Sequence, residues 1–301
     1  MPFVWTHLLF GESVYKKANL PTLKNPKHFY LGTQGPDFLF FYRFLPWQDG
    51  SQVNKLGSQM HRKNCGPFLL DLIQAANQKP SLREYTLGFI THHLLDRTTH
   101  PYIHYRAGFK KYRHQKLEVL IDTIVAKQLK GIETWCTPVY ERINIGPHFP
   151  SEWVETLTTL TTKHYPEDVA RFPKQAWNTA YRDMLRALRL FFDPWGIKNI
   201  LTAGQIAPFR YPRSIPPKDY LNEQKSEWLH PAIPEEKRKE SFWDLWEQAH
   251  HEAVILIKKV NQYWREEEKL HTLQDFIGNI SYDTGKECDL KLTNRVADPI
   301  V

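Results

Sequence analysis

In "THHLLDRTTH", residues 91–100, His92, Asp96 and His100 stand four residues apart. On a helix, residues i and i+4 share a face with Cβ atoms about 5–6 Å apart, so such side chains can converge on one ion. "HQKLE" repeats the interval with His114 and Glu118, and Asp122 follows one turn later. Imidazole and carboxylate donors without a thiolate suit zinc or another borderline divalent ion bound for catalysis. Spacing leaves His92 and His93 both open as the first ligand, because Asp96 is i+4 from one and i+3 from the other. The flanking runs "LGFITHHLL" and "LEVLIDTIVA" are apolar, and a carboxylate held in such surroundings needs a partner. A metal ion supplies one. The bland alternative is a set of buried histidine–carboxylate hydrogen bonds with no ion.

Eight of the 14 histidines precede residue 115, which places the chemistry in the first half of the chain. The elements that must position them read as helices, because amphipathic stretches are separated by Pro and Gly and valine–isoleucine alternation is scarce. The pattern predicts an all-α protein with helices over 3–18, 36–45, 51–63, 66–78, 82–100, 112–130, 151–163, 174–192, 217–228 and 235–267. Ser81 and Glu84 have capping-box spacing, and Pro216-Pro217 resembles a helix start. Pro101 is expected to end or kink the motif helix just after His100, which leaves His104 unplaced. A linker-like stretch, "INIGPHFP" at 143–150, divides a histidine-rich region (1–145) from amphipathic helices (146–278). Residues 279–301 lack helical period and are expected to form an extended tail. Trp153, Trp177, Trp195, Trp243 and Trp246 are expected in the core rather than on a lipid-facing surface.

At 301 residues and 41% hydrophobic content the chain can bury a sizeable core, and no run approaches the length of a membrane helix. The start, "MPFVWTHLLFGESVYKK", does not read as a signal peptide. The three cysteines, Cys65, Cys136 and Cys288, form no CxxC and read as free thiols, so a cytoplasmic protein is expected. A net charge of +7 suits an anionic partner, but the positive residues are scattered and no nucleic-acid module accompanies them, so nucleic acid is not the expected partner.

Three further stretches complete an ordered set: "WTHLLFGE" with His7, "LGTQGPDFLFF" with Asp37, and "LGSQMHRKNCGPFLLD" with His61. The order His7, Asp37, His61, His-xxx-Asp-xxx-His and His-xxx-Glu over residues 1–130 resembles the zinc-dependent phospholipase C family, which is related to the amino-terminal domain of glycosylphosphatidylinositol phospholipase D and to the S1/P1 nucleases. The family's T-H-x-x-x-D-x-x-x-H run favours His92 over His93. The resemblance implies an all-helical, phospholipase C/P1 nuclease-like bundle, here with additional C-terminal helices, and two or three zinc ions. One zinc would be held by His61, His92 and Asp96, a second by His100, His114 and Glu118, and a third by His7 with Asp96 as a bridge. Asp37 would be the general base or water-orienting group.

The implied activity is hydrolysis of a phosphodiester, either a phospholipid head group or a soluble compound, with peripheral membrane contact possible for a lipid substrate. Arg97 or Lys110 would attract the anionic substrate. Secreted members complete the third zinc site with a mature amino-terminal tryptophan; here Trp5 follows Met1-Pro2-Phe3-Val4. An HD-type phosphohydrolase would need an adjacent His-Asp pair, which the chain lacks. A metal-binding or membrane-associated scaffold without turnover is the alternative from another class.

Overall fold

The computed structural model describes residues 4–170, 172–173 and 175–301. Among them the chain forms thirteen α-helices. They are Val4–Ala18 (α1), Pro26–Gly32 (α2), Ser51–Met60 (α3), Cys65–Gln78 (α4), Arg83–Ala107 (α5), Arg113–Lys130 (α6), Tyr140–Ile143 (α7), Ser151–His164 (α8), Pro166–Val169 (α9), Ala176–Phe191 (α10), Ile197–Leu201 (α11), Phe242–Tyr263 (α12) and Leu270–Ile277 (α13). A 3₁₀ turn covers Asp37–Phe41. Trp228–His230 (β1) and Ile233–Arg238 (β2) form the one small sheet, antiparallel, with Trp228 opposite Arg238 and a bulge at Leu229/His230. The protein is an all-α bundle.

The 25-residue helix α5 is its axis. Both of its faces are buried, as expected of a helix surrounded by others rather than lying on a surface. Helices α1, α2, α4, α6 and α12 pack against it. Helix α2 comes closest because glycines meet there. A Cβ on Gly32 would lie 2.0 Å from the Tyr85 carbonyl oxygen, and one on Gly88 would lie 2.2 Å from that of Phe29. Trp5, Trp153, Trp177 and Trp228 are fully buried, and burial of a large apolar side chain contributes roughly 1.5–3 kcal/mol. Trp195 departs from the expectation for the tryptophans: it is 79% exposed.

Several elements differ from the sequence pattern, each for a local reason. Helix α5 runs through Pro101 to Ala107. The Arg97 carbonyl, which has no Pro101 N–H to accept, is instead closed over by Gly285, where a Cβ would lie 2.4 Å from that oxygen. The expected helix 217–228 is absent: residues 217–227 form bends and turns, and Trp228 opens β1. The Asp219 carboxylate accepts the Glu223 and Gln224 N–H groups, and Asn222 and Lys225 adopt positive φ. The expected helix 235–267 begins only at Phe242, where Ser241 and Asp244 form a capping box. Ser81 and Glu84 do not form one. Ser81 bonds Glu152, and Glu84 accepts the Lys24 and Asn25 N–H groups. The expected helix 36–45 is only the short 3₁₀ turn, and Lys174, the expected start of another, lies outside the described residues.

Residues 279–301 hold one 3₁₀ turn, Cys288–Leu290, and lie along the helical body. The Asp298 and Ile300 N–H groups donate to the Tyr105 and Arg106 carbonyls. His230 is buried on β1, where Nε2 donates to the Thr284 carbonyl and Nδ1 accepts the Ala232 and Ile233 N–H groups. Cys65 and Cys288 are free thiols whose sulfurs lie 3.6 Å apart. Among the described residues no helix is long and apolar enough to cross a membrane.

Candidate metal centre

Asp96, fully buried midway along α5, is the point on which the histidines converge. His7 Nε2 on α1 lies 3.1 Å from Oδ1, and His92 Nε2 lies 3.1 Å from Oδ2. His100 Nε2 is 3.5 Å from Oδ1 and His61 Nε2 is 3.9 Å from Oδ2. His61 Nε2 also lies 3.1 Å from Asp37 Oδ1. Beyond His100 the set continues onto α6, with His100 Nε2 at 3.9 Å and His114 Nε2 at 2.9 Å from Glu118 Oε1. Asp37, His61, His92 and Asp96 offer ligand atoms within 4.8 Å of one another, as do His100, His114 and Glu118.

Local structure fixes these rings. Thr33 follows α2, and its carbonyl accepts the His92 Nδ1–H at 3.2 Å. Gly35 lets the chain turn directly under that ring. Its φ is +49°, and a Cβ there would lie 2.1 Å from His92 Cδ2, so only glycine fits. His61 Nδ1–H donates to the Gly57 carbonyl at 2.7 Å. Such carbonyl bonds set the tautomer and aim the other ring nitrogen inward, as the carbonyl partners of metal-bound histidines do. His93 faces elsewhere: its Nε2 meets Arg97 Nη1 at 3.3 Å and its ring packs 4.5 Å from Tyr282.

Helix α1 is anchored by Asp122, whose carboxylate accepts the Trp5 and Thr6 N–H groups at 3.1 and 2.8 Å and the Tyr211 hydroxyl at 2.7 Å. The Trp5 amide is thus engaged at the helix start. Met1 and Pro2 lie outside the described residues.

The donor set fits a metal. With Nδ1 protonated and bonded to a carbonyl, neutral His92 and His61 present lone pairs at Nε2. Those lone pairs face carboxylate oxygens, which are also acceptors. Neither oxygen of Asp96, nor His92 Nε2, has an aligned hydrogen-bond partner among the described residues, although all are buried. Acceptor facing acceptor in a dry site is costly without a cation between them.

Without an ion, protons take that role. Burial opposes charge on His100, yet Asp96 and Glu118 push its pKa up to about 9. Burial also opposes ionisation of Asp37, yet positive charge around it, with its bond to His61 and the charge of His92, lowers its pKa. His104 goes the other way: burial and its histidine neighbours lower it to about 4.

The sign of the linkage follows. His100 stabilises the metal-free fold fully below its unfolded value near 6.5, and that contribution is lost as pH rises through 9. The depressed His104 stabilises above 6.5, and its contribution is lost as pH falls through 4. Burial raises Asp122 to about 7, and its contribution is likewise lost as pH rises to that value, which offsets the gain from His104. Metal-free protein should therefore lose stability as pH rises from 6.5 to 9, by about 3 kcal/mol through His100. Urea midpoints measured from pH 4 to 9 check this, and a flat profile would contradict it.

The site opens on a cleft of about 490 Å³ lined by Asp37, His61, Arg62, His100, His104 and His114, among others. Phe109 and Tyr112 form its rim, and Lys110 and Lys111 add positive charge. Arg97, expected near the substrate, is committed elsewhere: it donates to Glu252 at 2.7 Å and to the Ile277 carbonyl at 2.9 Å. Sequence reasoning passed over His104 because Pro101 made its face uncertain. It passed over Asp283, which also lines the cleft, because nothing near it in the chain carries a ligand pattern.

A family profile described as zinc-dependent phospholipase C matches residues 6–178, a span that contains every residue from His7 to Glu118 named above. The chain belongs to this family. Comparison with curated proteins and with solved structures returns no match. The family supports a zinc hydrolase, and the buried Asp/His cluster supplies a place for the metal.

Proposed function

We propose that the protein is a zinc-dependent phosphodiesterase that cleaves a phospholipid head group at a membrane surface. The observation that carries the reading is the buried convergence of Asp37, His61, His92 and Asp96 beside an open, positively flanked cleft. His61, His92 and Asp96 would hold one zinc ion; His100, His114 and Glu118 a second; His7 with Asp96 a third. Zinc supplies Lewis acidity there: it lowers the pKa of water and stabilises the charge that develops on phosphoryl oxygens.

The chain's own groups do the rest. Arg62, Lys110 and Lys111 on the cleft wall draw in the phosphodiester anion. Asp37 accepts a hydrogen bond from the attacking water and orients it. A carboxylate held below its ordinary range is a weak base at neutral pH, so orientation suits it better than proton abstraction. Replacing Asp37 by Asn keeps a ligating oxygen and removes the charge. Turnover of zinc-loaded protein should fall about 10²–10⁴-fold with most of the zinc retained. A wild-type protein that binds zinc and hydrolyses no phosphodiester would favour the scaffold reading instead.

A second observation favours a lipid over a soluble substrate. Trp195, Ile197, Ile200 and Leu201 on and beside α11 are 59–80% exposed. Phe209, from the same loop, packs edge-on against Tyr112 of the cleft rim at 5.2 Å between ring centres. Exposed aromatic and aliphatic side chains grouped near the cleft rim fit the interface of a membrane. Replacing Trp195 and Leu201 together by Ser should reduce hydrolysis of phospholipid vesicles about tenfold or more, since each buried CH₂ is worth roughly 0.8 kcal/mol. Hydrolysis of soluble bis(p-nitrophenyl) phosphate should be unchanged. Equal loss on both substrates would remove the membrane-docking role.

A further inference from the structure

One lining residue of the cleft, Asp283, comes from outside the family-matched residues 6–178. The segment after α13 crosses the end of α3, where the Ser281 hydroxyl and the Tyr282 N–H both donate to the His61 carbonyl, at 3.0 and 2.9 Å. The Tyr282 ring is buried, with its centre 5.2 Å from that of His61 and 5.8 Å from that of His92. This contact delivers the next residue, Asp283, to the cleft. One oxygen of Asp283 pairs with the Arg62 guanidinium. The other, Oδ1, lies 3.7 Å from His104 Nε2, too far for a hydrogen bond. His104 Nε2 has no hydrogen-bond partner among the described residues.

His100, His104 and Asp283 offer ligand atoms within 4.8 Å of one another. The His104 and His114 rings are 4.8 Å apart, so this triad faces the His100–His114–Glu118 triad across a single gap. Helix α6 bounds one side of the gap, and the C-terminal segment bounds the other. Zinc bonds of about 2.0–2.2 Å place tetrahedral ligand atoms about 3.4 Å apart, close to the His104–Asp283 separation.

We propose that Asp283 is a zinc ligand at this gap, with His104 beside it, and that the C-terminal segment thereby completes the site. This rests on the zinc reading above. Ion binding and docking of residues 279–290 then form one linked equilibrium, in which each strengthens the other by the same factor.

The test uses the full chain, zinc competition against a chelator, and amide exchange with and without zinc. In the wild type, zinc should slow exchange in 281–288. Asp283→Asn should weaken one ion about 10–100-fold, leave the remaining zinc unchanged, and abolish the zinc-dependent protection. His104→Gln should weaken the same ion, which covers the case of a poorly folding Asp283 variant. Arg62→Gln, which breaks the ion pair but leaves the Asp283 carboxylate in place, should show no loss of zinc affinity, whatever it does to substrate binding. Unchanged zinc affinity in both Asp283→Asn and His104→Gln, with exchange in 281–288 indifferent to zinc in the wild type, would overturn the proposal and leave Asp283 as the partner of Arg62. A wild-type chain that takes up no zinc at all would overturn the zinc reading itself.

Discussion

Asp96→Asn is expected to abolish the centre while leaving the bundle folded. The carboxylate receives His7 and His92 at 3.1 Å and His100 at 3.5 Å, with His61 at 3.9 Å, so its charge serves all four rings. Asparagine has nearly the same volume, and α5 is held by packing on several helices, so the fold survives. The side-chain amide, however, turns an N–H₂ group toward imidazoles or the ion and removes the charge that balances them. Phosphodiesterase kcat/KM should drop at least about 10³-fold, equivalent to roughly 4 kcal/mol of lost transition-state stabilisation. Zinc per chain, measured by elemental mass spectrometry, should fall in parallel. Full zinc content with more than about a tenth of the activity retained would show that Asp96 is a structural hydrogen-bonding acid and that the ions sit elsewhere.

Removing the metal from the wild type should have the second largest effect, and its readout is stability. An ion that binds only the folded chain stabilises it by about 4 kcal/mol at a thousand times its dissociation constant. For a chain of this size that corresponds to a fall of about 10 °C in Tm on chelation, reversed by added zinc. The fall should shrink as pH is lowered, because protons compete with zinc for the histidine nitrogens. A Tm unmoved by chelator and by zinc would leave the "THHLLDRTTH" face as a hydrogen-bonded core without metal.

The sequence by itself determined the helical class and the residues worth watching. Periodicity of 3.6 is local, so the apolar face around His92 and Asp96 and the i+4 step from His114 to Glu118 can be read directly from spacing. An ordered series of short motifs was likewise enough to point to the family. Tertiary structure decided which ring faces which acid. His92 and His93 are indistinguishable by spacing; the Thr33 carbonyl and the close approach of Gly35 select His92 to face Asp96, because they hold that ring from behind. Pro101 reads as a helix stop, since it removes one backbone donor. Here the helix is packed on several sides and Gly285 closes on the freed carbonyl, so α5 continues and brings His104 into the cleft. Asp283 had no local signal at all. Its place depends on two hydrogen bonds to the His61 carbonyl from a segment far along the chain, and contacts of that kind leave no period or motif in the sequence.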